Sequence, residues 1–267
     1  MNLNLFPILF FLLCTLPVSQ ISAQAKPLPN AHAHNDYKHK HPLTDALDNG
    51  FTSYEADVFF KKGKFIVAHV SPLFKKKRTL EALYLKPLYE NTLKHNGNVL
   101  PNYAKPVVLL IDVKTDAEQL YIAMKPLLEK YNSILTSCTN GEISERAVTI
   151  IFSGNKPYQA VNNESTRVAF IDESLMNIEK DHFTSAICPL ASTKYSNVLT
   201  WKGRGAIPED EKQKLIGLVS TAHIQGKKVR LWASPENKNV WKELLNCGVD
   251  LINTDDLEGF REFSEKN

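Results

Sequence analysis

Short apolar segments recur along this chain, separated by polar and amphipathic ones. The clearest is Pro106-Val107-Val108-Leu109-Leu110-Ile111-Asp112-Val113, apolar on both faces as a parallel strand buried under helices should be. Leu28 to His34, Phe51 to Phe59, Ala147 to Phe152, Arg167 to Asp172, Ala186 to Leu190, Lys228 to Trp232 and Val249 to Asn253 read as further strands. Lys61 to Lys64 is a turn, from which Phe65 to His69 returns as an extended segment. Helical patterns cover Pro42 to Asp48, Asp116 to Lys130, Pro208 to Gln225, Asn237 to Asn246 and Asp255 to Glu265. Pro42 suits a first turn, and Asn49-Gly50 a C-terminal stop.

About eight strands alternating with helices predict an α/β fold, a (β/α)8 TIM barrel. An open doubly wound sheet normally announces itself with a Gly-rich first turn, and the chain has neither G-x-G-x-x-G nor a P-loop. No Gly/Ser-rich or Pro-rich linker divides the 267 residues, so residues 24–267 are expected to form a single domain.

The first segment changes that picture at one end. Residues 1–23 carry the apolar run Leu5 to Leu13, then polar and small residues, with small-x-small patterns at Ile21-Ser22-Ala23 and Ala23-Gln24-Ala25. This reads as a signal peptide, although its start lacks Lys and Arg, and the run is short for a span of roughly 20 apolar residues. Export to the periplasm or secretion is therefore expected, with no stable membrane span in the mature chain. A net charge of +3 gives no argument for a nucleic-acid partner, and a monomer is expected. Cys138, Cys188 and Cys247 would remain after Cys14 leaves with the signal; without C-x-x-C spacing they read as buried small hydrophobes.

Charge inside the strand-like segments is the anomaly, and it is concentrated between Pro29 and Val70. In a barrel, functional residues sit at the C-terminal ends of strands. His34-Asn35 closes the first strand, Glu55 and Asp57 lie near the end of the second, His69 ends its extension, and Asp112 and Lys114 close the third. Residues i and i+2 of a strand share a side, so Glu55 and Asp57 project together. Burying two neighbouring carboxylates costs several kcal/mol unless they are compensated, and a hard divalent cation with oxygen ligands compensates both. Asp112 offers a third oxygen and Asn35 a neutral fourth, a set suited to Mg2+ or Ca2+ better than zinc. His34 and His69, flanking that cluster, form a candidate acid-base pair. His32 alternates with His34 and shares its side; His39 and His41 sit in a Lys-rich loop, and His95, His182 and His223 read as structural.

The set His34-Asn35-Asp36-Tyr37, Glu55-x-Asp57, His69 and Asp112-x-Lys114 resembles the superfamily of phosphatidylinositol-specific phospholipases C and glycerophosphodiester phosphodiesterases. Trp201 to Gly205, Arg230 to Pro235 and Gly248 to Leu257 look like the branch that includes altered inheritance of mitochondria protein 6 and bacterial secreted relatives. The resemblance implies a metal-dependent phosphoric diester hydrolase acting on a phospholipid headgroup or a glycerophosphodiester. It implies catalytic roles for His34 and His69, cation ligation by Asn35, Glu55, Asp57 and Asp112, and phosphate holding by Lys114. Trp232 is a further candidate for the substrate pocket, and Trp201 another. One departure is that Ala33-His34-Asn35 stands where glycerophosphodiesterases have His-Arg-Gly, so a phosphate-gripping Arg must come from elsewhere, with Arg204 a candidate.

Two other readings compete. His32-x-His34 also begins the metal sites of amidohydrolase-type and polymerase-histidinol-phosphatase-type barrels, but those need histidines after later strands, which are absent after Phe152, Asp172 and Trp232. A non-catalytic barrel binding a phosphorylated lipid or sugar is the third.

Overall fold

The computed structural model describes residues 25–71, 77–180 and 183–266. The expected signal peptide with its cleavage site, part of the basic loop at Lys75 to Arg78, and His182 lie outside the described residues. Eight parallel strands run through the chain: β1 (Leu28–Ala33), β2 (Phe51–Lys61), β3 (Val107–Val113), β4 (Val148–Gly154), β5 (Ala169–Ser174), β6 (Leu190–Lys194), β7 (Lys228–Trp232) and β8 (Leu251–Thr254). Each pairs with the next, and β8 pairs with β1, so the sheet closes into the expected barrel. Helices α1 (Thr44–Asp48), α2 (Lys86–Lys94), α3 (Ala117–Glu129), α4 (Tyr158–Asn162), α5 (Glu209–Ile224), α6 (Lys238–Asn246) and α7 (Leu257–Glu265) follow in order. Between β5 and β6 the described residues hold only a 3-10 turn, Leu175–Asn177.

The period of two along each strand sorts the side chains. Tyr54, Ala56, Val58, Leu109, Ile111, Val113, Ile150, Phe152, Ala169 and Ile171 join the main core beneath the helices. The alternate positions Leu110, Ile151, Phe170, Leu190 and Leu251 form, with Cys138, a separate apolar cluster that floors the barrel. Two residues further along the strands the interior turns polar: His32, Glu55, Asp172, Ser192, Arg230 and Asn253 are all buried.

Several boundaries differ from the sequence reading. The segment Ala186 to Leu190 is not the sixth strand. The amides of Ile187 and Cys188 both turn back to Thr184 O, and Pro189 has no N–H for a ladder, so the strand starts at Leu190. β2 continues to Lys61 because Lys62 and Gly63, both with positive φ, make a tight hairpin into the antiparallel strand Lys64–Val67. A small antiparallel sheet of Ser137–Thr139, Glu142–Ser144 and Thr166–Arg167 has no counterpart in the hydrophobic pattern of the sequence. Helix starts agree to within a residue or two, and Asp116, Asn237 and Asp256 cap α3, α6 and α7 through their side chains. Cys138, Cys188 and Cys247 are buried and free.

Candidate active site

β2 and β3 build the acidic centre. Asp57 and Asp112 are register partners on the two strands, and Glu55 lies two residues before Asp57 on the same side. One carboxylate oxygen from each of the three falls within 4.8 Å of the others. Asp57 Oδ2 is crowded: it accepts from the Tyr37 hydroxyl at 2.7 Å, with His69 Nδ1 at 3.1 Å and Lys114 Nζ at 3.3 Å. Asp57 Oδ1 is buried with no hydrogen-bond partner. Lys114 Nζ donates to Asp112 Oδ2 at 2.6 Å. Burial, opposed by Lys114 but reinforced by Glu55 and Asp57, raises the Asp112 pKa from its ordinary value. The ammonium thus offsets only part of the charge the three acids bring together, and one of their carboxylate oxygens, Asp57 Oδ1, is buried without a partner. Three hard oxygen donors with such a surplus fit a divalent cation. Gly154, at φ +66° on the end of β4, gives the cluster room: a Cβ there would lie 2.0 Å from Asp112 Oδ1.

Asn35 follows β1 in the left-handed conformation, at φ 50° and ψ 34°, which asparagine tolerates better than most residues. Its Oδ1 lies 2.7 Å from the Tyr37 hydroxyl, which it shares with Asp57. Asp36 points the other way, accepting from Leu43 N at 2.6 Å and Tyr84 Oη at 2.8 Å, and so ties the loop to α1 and the core. Burial pushes the Asp36 pKa up to about 6.

The two histidines contact different members of the cluster. His69 Nδ1 faces Asp57, and most of its imidazole is open to solvent. His34 Nδ1 is 2.9 Å from Asp255 Oδ1, and its Nε2 is 3.9 Å from Glu55 Oε1. Burial works against a proton on His34, but the Asp255 hydrogen bond and the charges of Glu55 and Asp255 outweigh it, so its pKa is raised. Glu236 holds that partner in place, accepting from Asp255 N at 2.8 Å and Thr254 Oγ1 at 2.6 Å.

His32 has a different part. It is fully buried, with Nδ1 2.7 Å from Ser53 Oγ and Nε2 2.6 Å from Arg230 Nη1. Burial and the Arg230 charge lower its pKa to about 4. Arg230 Nη1 also donates to Glu55 Oε2 at 2.5 Å. Burial alone would protonate Glu55; the Arg230 charge overcomes it and holds its pKa far below the usual value. His32 and His34 are therefore not a metal-binding pair of the amidohydrolase type: one imidazole is engaged by a guanidinium below the cluster, the other by Asp255 at the rim.

The remaining candidates divide. Trp232 is partly exposed at the end of β7, with Lys194 Nζ 5.8 Å from its ring centroid, so it stands at the barrel mouth. Trp201 is buried in the core, and its Nε1 donates to Arg204 O. Arg204 is exposed in that loop, and no contact of its side chain with the cluster is found among the described residues. His41 is exposed beside Asp45, His39 is half-buried, and His95 and His223 bond to Val99 O and Asp250. Arg230 and Tyr37 carry no assigned role in the sequence reading, yet both touch the acidic centre. The usable signal for Arg230 was its charge in the middle of an alternating strand, the same signal that singles out Glu55.

Residues 19–172 match a family described as AIM6-like phosphodiesterase domain, and residues 228–258 match the glycerophosphoryl diester phosphodiesterase family. The altered inheritance of mitochondria protein 6 homolog of Arthroderma benhamiae is 30% identical over 89% of this chain and 84% of its own. Altered inheritance of mitochondria protein 6 of Lachancea thermotolerans is 26% identical over 90% of this chain and 67% of its own. A solved glycerophosphodiester phosphodiesterase from Parabacteroides distasonis shares the barrel at a TM-score of 0.52 and 14% identity, over 91% of this chain and 99% of that one.

Proposed function

The chain belongs to the AIM6-like phosphodiesterase family, and from that premise we propose that it is a cation-dependent phosphoric diester hydrolase working at the barrel mouth. The observation that carries this reading is the convergence of Glu55, Asp57 and Asp112 within 4.8 Å, with a buried Asp57 oxygen left unpartnered.

Glu55, Asp57, Asp112 and Asn35 would hold the cation, Mg2+ or Ca2+, whose chemistry is to polarise a non-bridging phosphate oxygen and offset developing negative charge. His34 and His69 serve as the acid-base pair. One removes the proton from the attacking hydroxyl, of water or of the substrate itself, and the other protonates the departing oxygen. Asp255 orients His34, and Tyr37 steadies Asp57. Lys114 holds the phosphate as a point charge. Trp232 offers an apolar surface to the group beyond the phosphate, a glycerol or lipid headgroup. Export is part of the proposal, and N-terminal sequencing of exported protein should start at about residue 24, with intact residues 1–23 counting against it.

The test is hydrolysis of bis(4-nitrophenyl) phosphate after chelation, with Mg2+, Ca2+ or Mn2+ added back. Turnover should vanish with chelator and return with cation. His34→Ala and His69→Ala should each lose about 100-fold or more while remaining folded. Turnover indifferent to chelator, or full activity in either variant, overturns the reading; phosphate binding without turnover at any cation favours the non-catalytic barrel.

A further inference from the structure

Beneath the acidic centre lies a second polar group that the proposed chemistry does not use. Arg230 is 4% exposed, deep in the barrel interior. Its Nη1 makes two short contacts, to Glu55 Oε2 at 2.5 Å and His32 Nε2 at 2.6 Å, with Asn253 Oδ1 further off at 3.2 Å. An Nη1 carries two hydrogens, and the two short contacts take them. His32 Nε2 must then be an acceptor, so the ring is neutral with its proton on Nδ1, directed at Ser53 Oγ 2.7 Å away. In that tautomer the 3.2 Å approach of His32 Nε2 to Glu55 Oε2 is acceptor to acceptor, and Arg230 is what bridges them.

This arrangement is a poor way merely to stabilise a barrel. The guanidinium is taken out of water, and its Nε is buried without an acceptor. Replacing such buried ionic groups by apolar side chains is often neutral or stabilising. Its geometric effect is specific instead. Arg230 turns Glu55 Oε2 into the barrel, while Oε1 stays on the side of His34 Nε2, 3.9 Å away. His32, fully buried and tied to Ser53, prevents the guanidinium from swinging aside.

We propose that Arg230 is a positioning residue of the acidic centre: braced by neutral His32, it fixes Glu55 so that a single oxygen is presented to the cation. Partners outside a metal's own ligands orient those ligands, and losing one costs about 10- to 100-fold in metal affinity or activity. The proposal rests on the cation reading above, but it makes a prediction opposite in sign to simple electrostatics. Removing a positive charge beside a cation site should tighten cation binding if charge is all that Arg230 contributes. Removing the clamp should loosen it.

The experiment is Mn2+ binding in the absence of substrate, followed by isothermal titration calorimetry and by the EPR signal of free Mn2+. Arg230→Met should bind about 10-fold more weakly or worse. Arg230→Lys keeps the charge, but its shorter side chain stops short of the Nη1 position between Glu55 and His32, and should weaken binding as well. His32→Gln, whose side-chain oxygen can still accept from Arg230, should stay within a few-fold of wild type, whereas His32→Leu should follow Arg230→Met. These His32 variants keep the test open if Arg230→Met fails to fold. Wild-type binding with equal or tighter Mn2+ affinity in folded Arg230→Met, or in His32→Leu, overturns the positioning role alone. Failure of wild-type protein to bind Mn2+, or binding unaffected by Asp57→Asn, overturns the cation reading beneath it.

Discussion

Two residues apart on one strand, His32 and His34 meet opposite surroundings, and their proton affinities diverge for that reason. Burial and a guanidinium lower the first; a carboxylate raises the second despite burial. Asp255→Ala removes the hydrogen bond and one of the two charges that lift His34, so burial should then prevail and its pKa should fall. Imidazole NMR titration of chelator-treated protein measures this, and an unmoved His34 would refute the pairing. The sign for stability follows. A raised histidine pKa adds stability that is full below the unfolded value of 6.5 and is lost as pH rises through the folded value. Asp255, depressed by His34, contributes in the opposite sense, above the usual carboxylate value and fading as pH falls through its folded pKa. The variant should therefore lose more stability near pH 5.5 than near pH 8. Most of this site was legible residue by residue, because Glu55, Asp57 and Asp112 are charges at alternate or terminal positions of apolar strands. Arg230 was not, although it breaks the same rule. Its partners His32 and Glu55 are 198 and 175 residues away in sequence, and only closure of the barrel brings them into reach.

Strands place these residues, and one strand end matters more than its sequence suggests. Gly154 closes β4 at φ +66°, with the space its missing Cβ leaves taken by Asp112 Oδ1 and, at 2.9 Å, Val113 O. Gly154→Ala should cost about 1–2 kcal/mol for the left-handed backbone, and it should also push Asp112 out of the cluster. Thermal unfolding reads the first effect and Mn2+ titration the second, where about a 10-fold loss is expected. Unchanged cation affinity would mean that Asp112 is not held by this contact. The strands themselves were readable because buried parallel strands are long apolar runs, as in Val107–Val113. The sixth was misplaced because its apolar signal, Ala186 to Leu190, is broken by a turn and a proline, while the true strand Leu190–Lys194 is mostly small and polar. Those residues are there because the interior at that level is polar: Ser192 bonds Asp172, as does Ser153 from β4. A strand that lines a site thus loses the hydrophobic pattern by which strands are recognised.

Over the whole molecule, the apolar floor stabilises the barrel, while Asp112 at its mouth costs stability at neutral pH. Its pKa is raised in the folded state, so the folded protein binds more protons than the unfolded chain as pH rises past 3.8, and stability falls across that interval. At neutral pH the metal-free protein carries the full penalty. Asp112→Asn abolishes it, so in chelator the variant should melt at a higher temperature than wild type at pH 7.5, with the gap closing toward pH 4. Lys114 loses a partner in the variant but keeps Asp57 Oδ2 at 3.3 Å, which limits the offsetting loss. Cation should invert the order. A ligand that binds only the folded state adds about 2.7 kcal/mol at 100 times its dissociation constant; wild type should gain this, and the variant, short of one carboxylate, much less. Scanning calorimetry at pH 7.5 with chelator and then with Mn2+ or Ca2+ distinguishes the cases. A crossing of the two melting temperatures is what a fold strained for ligation must give. A variant less stable than wild type in both conditions would mean that Asp112 is held for the barrel's sake, and that the acidic centre stores no repulsion for a cation to relieve.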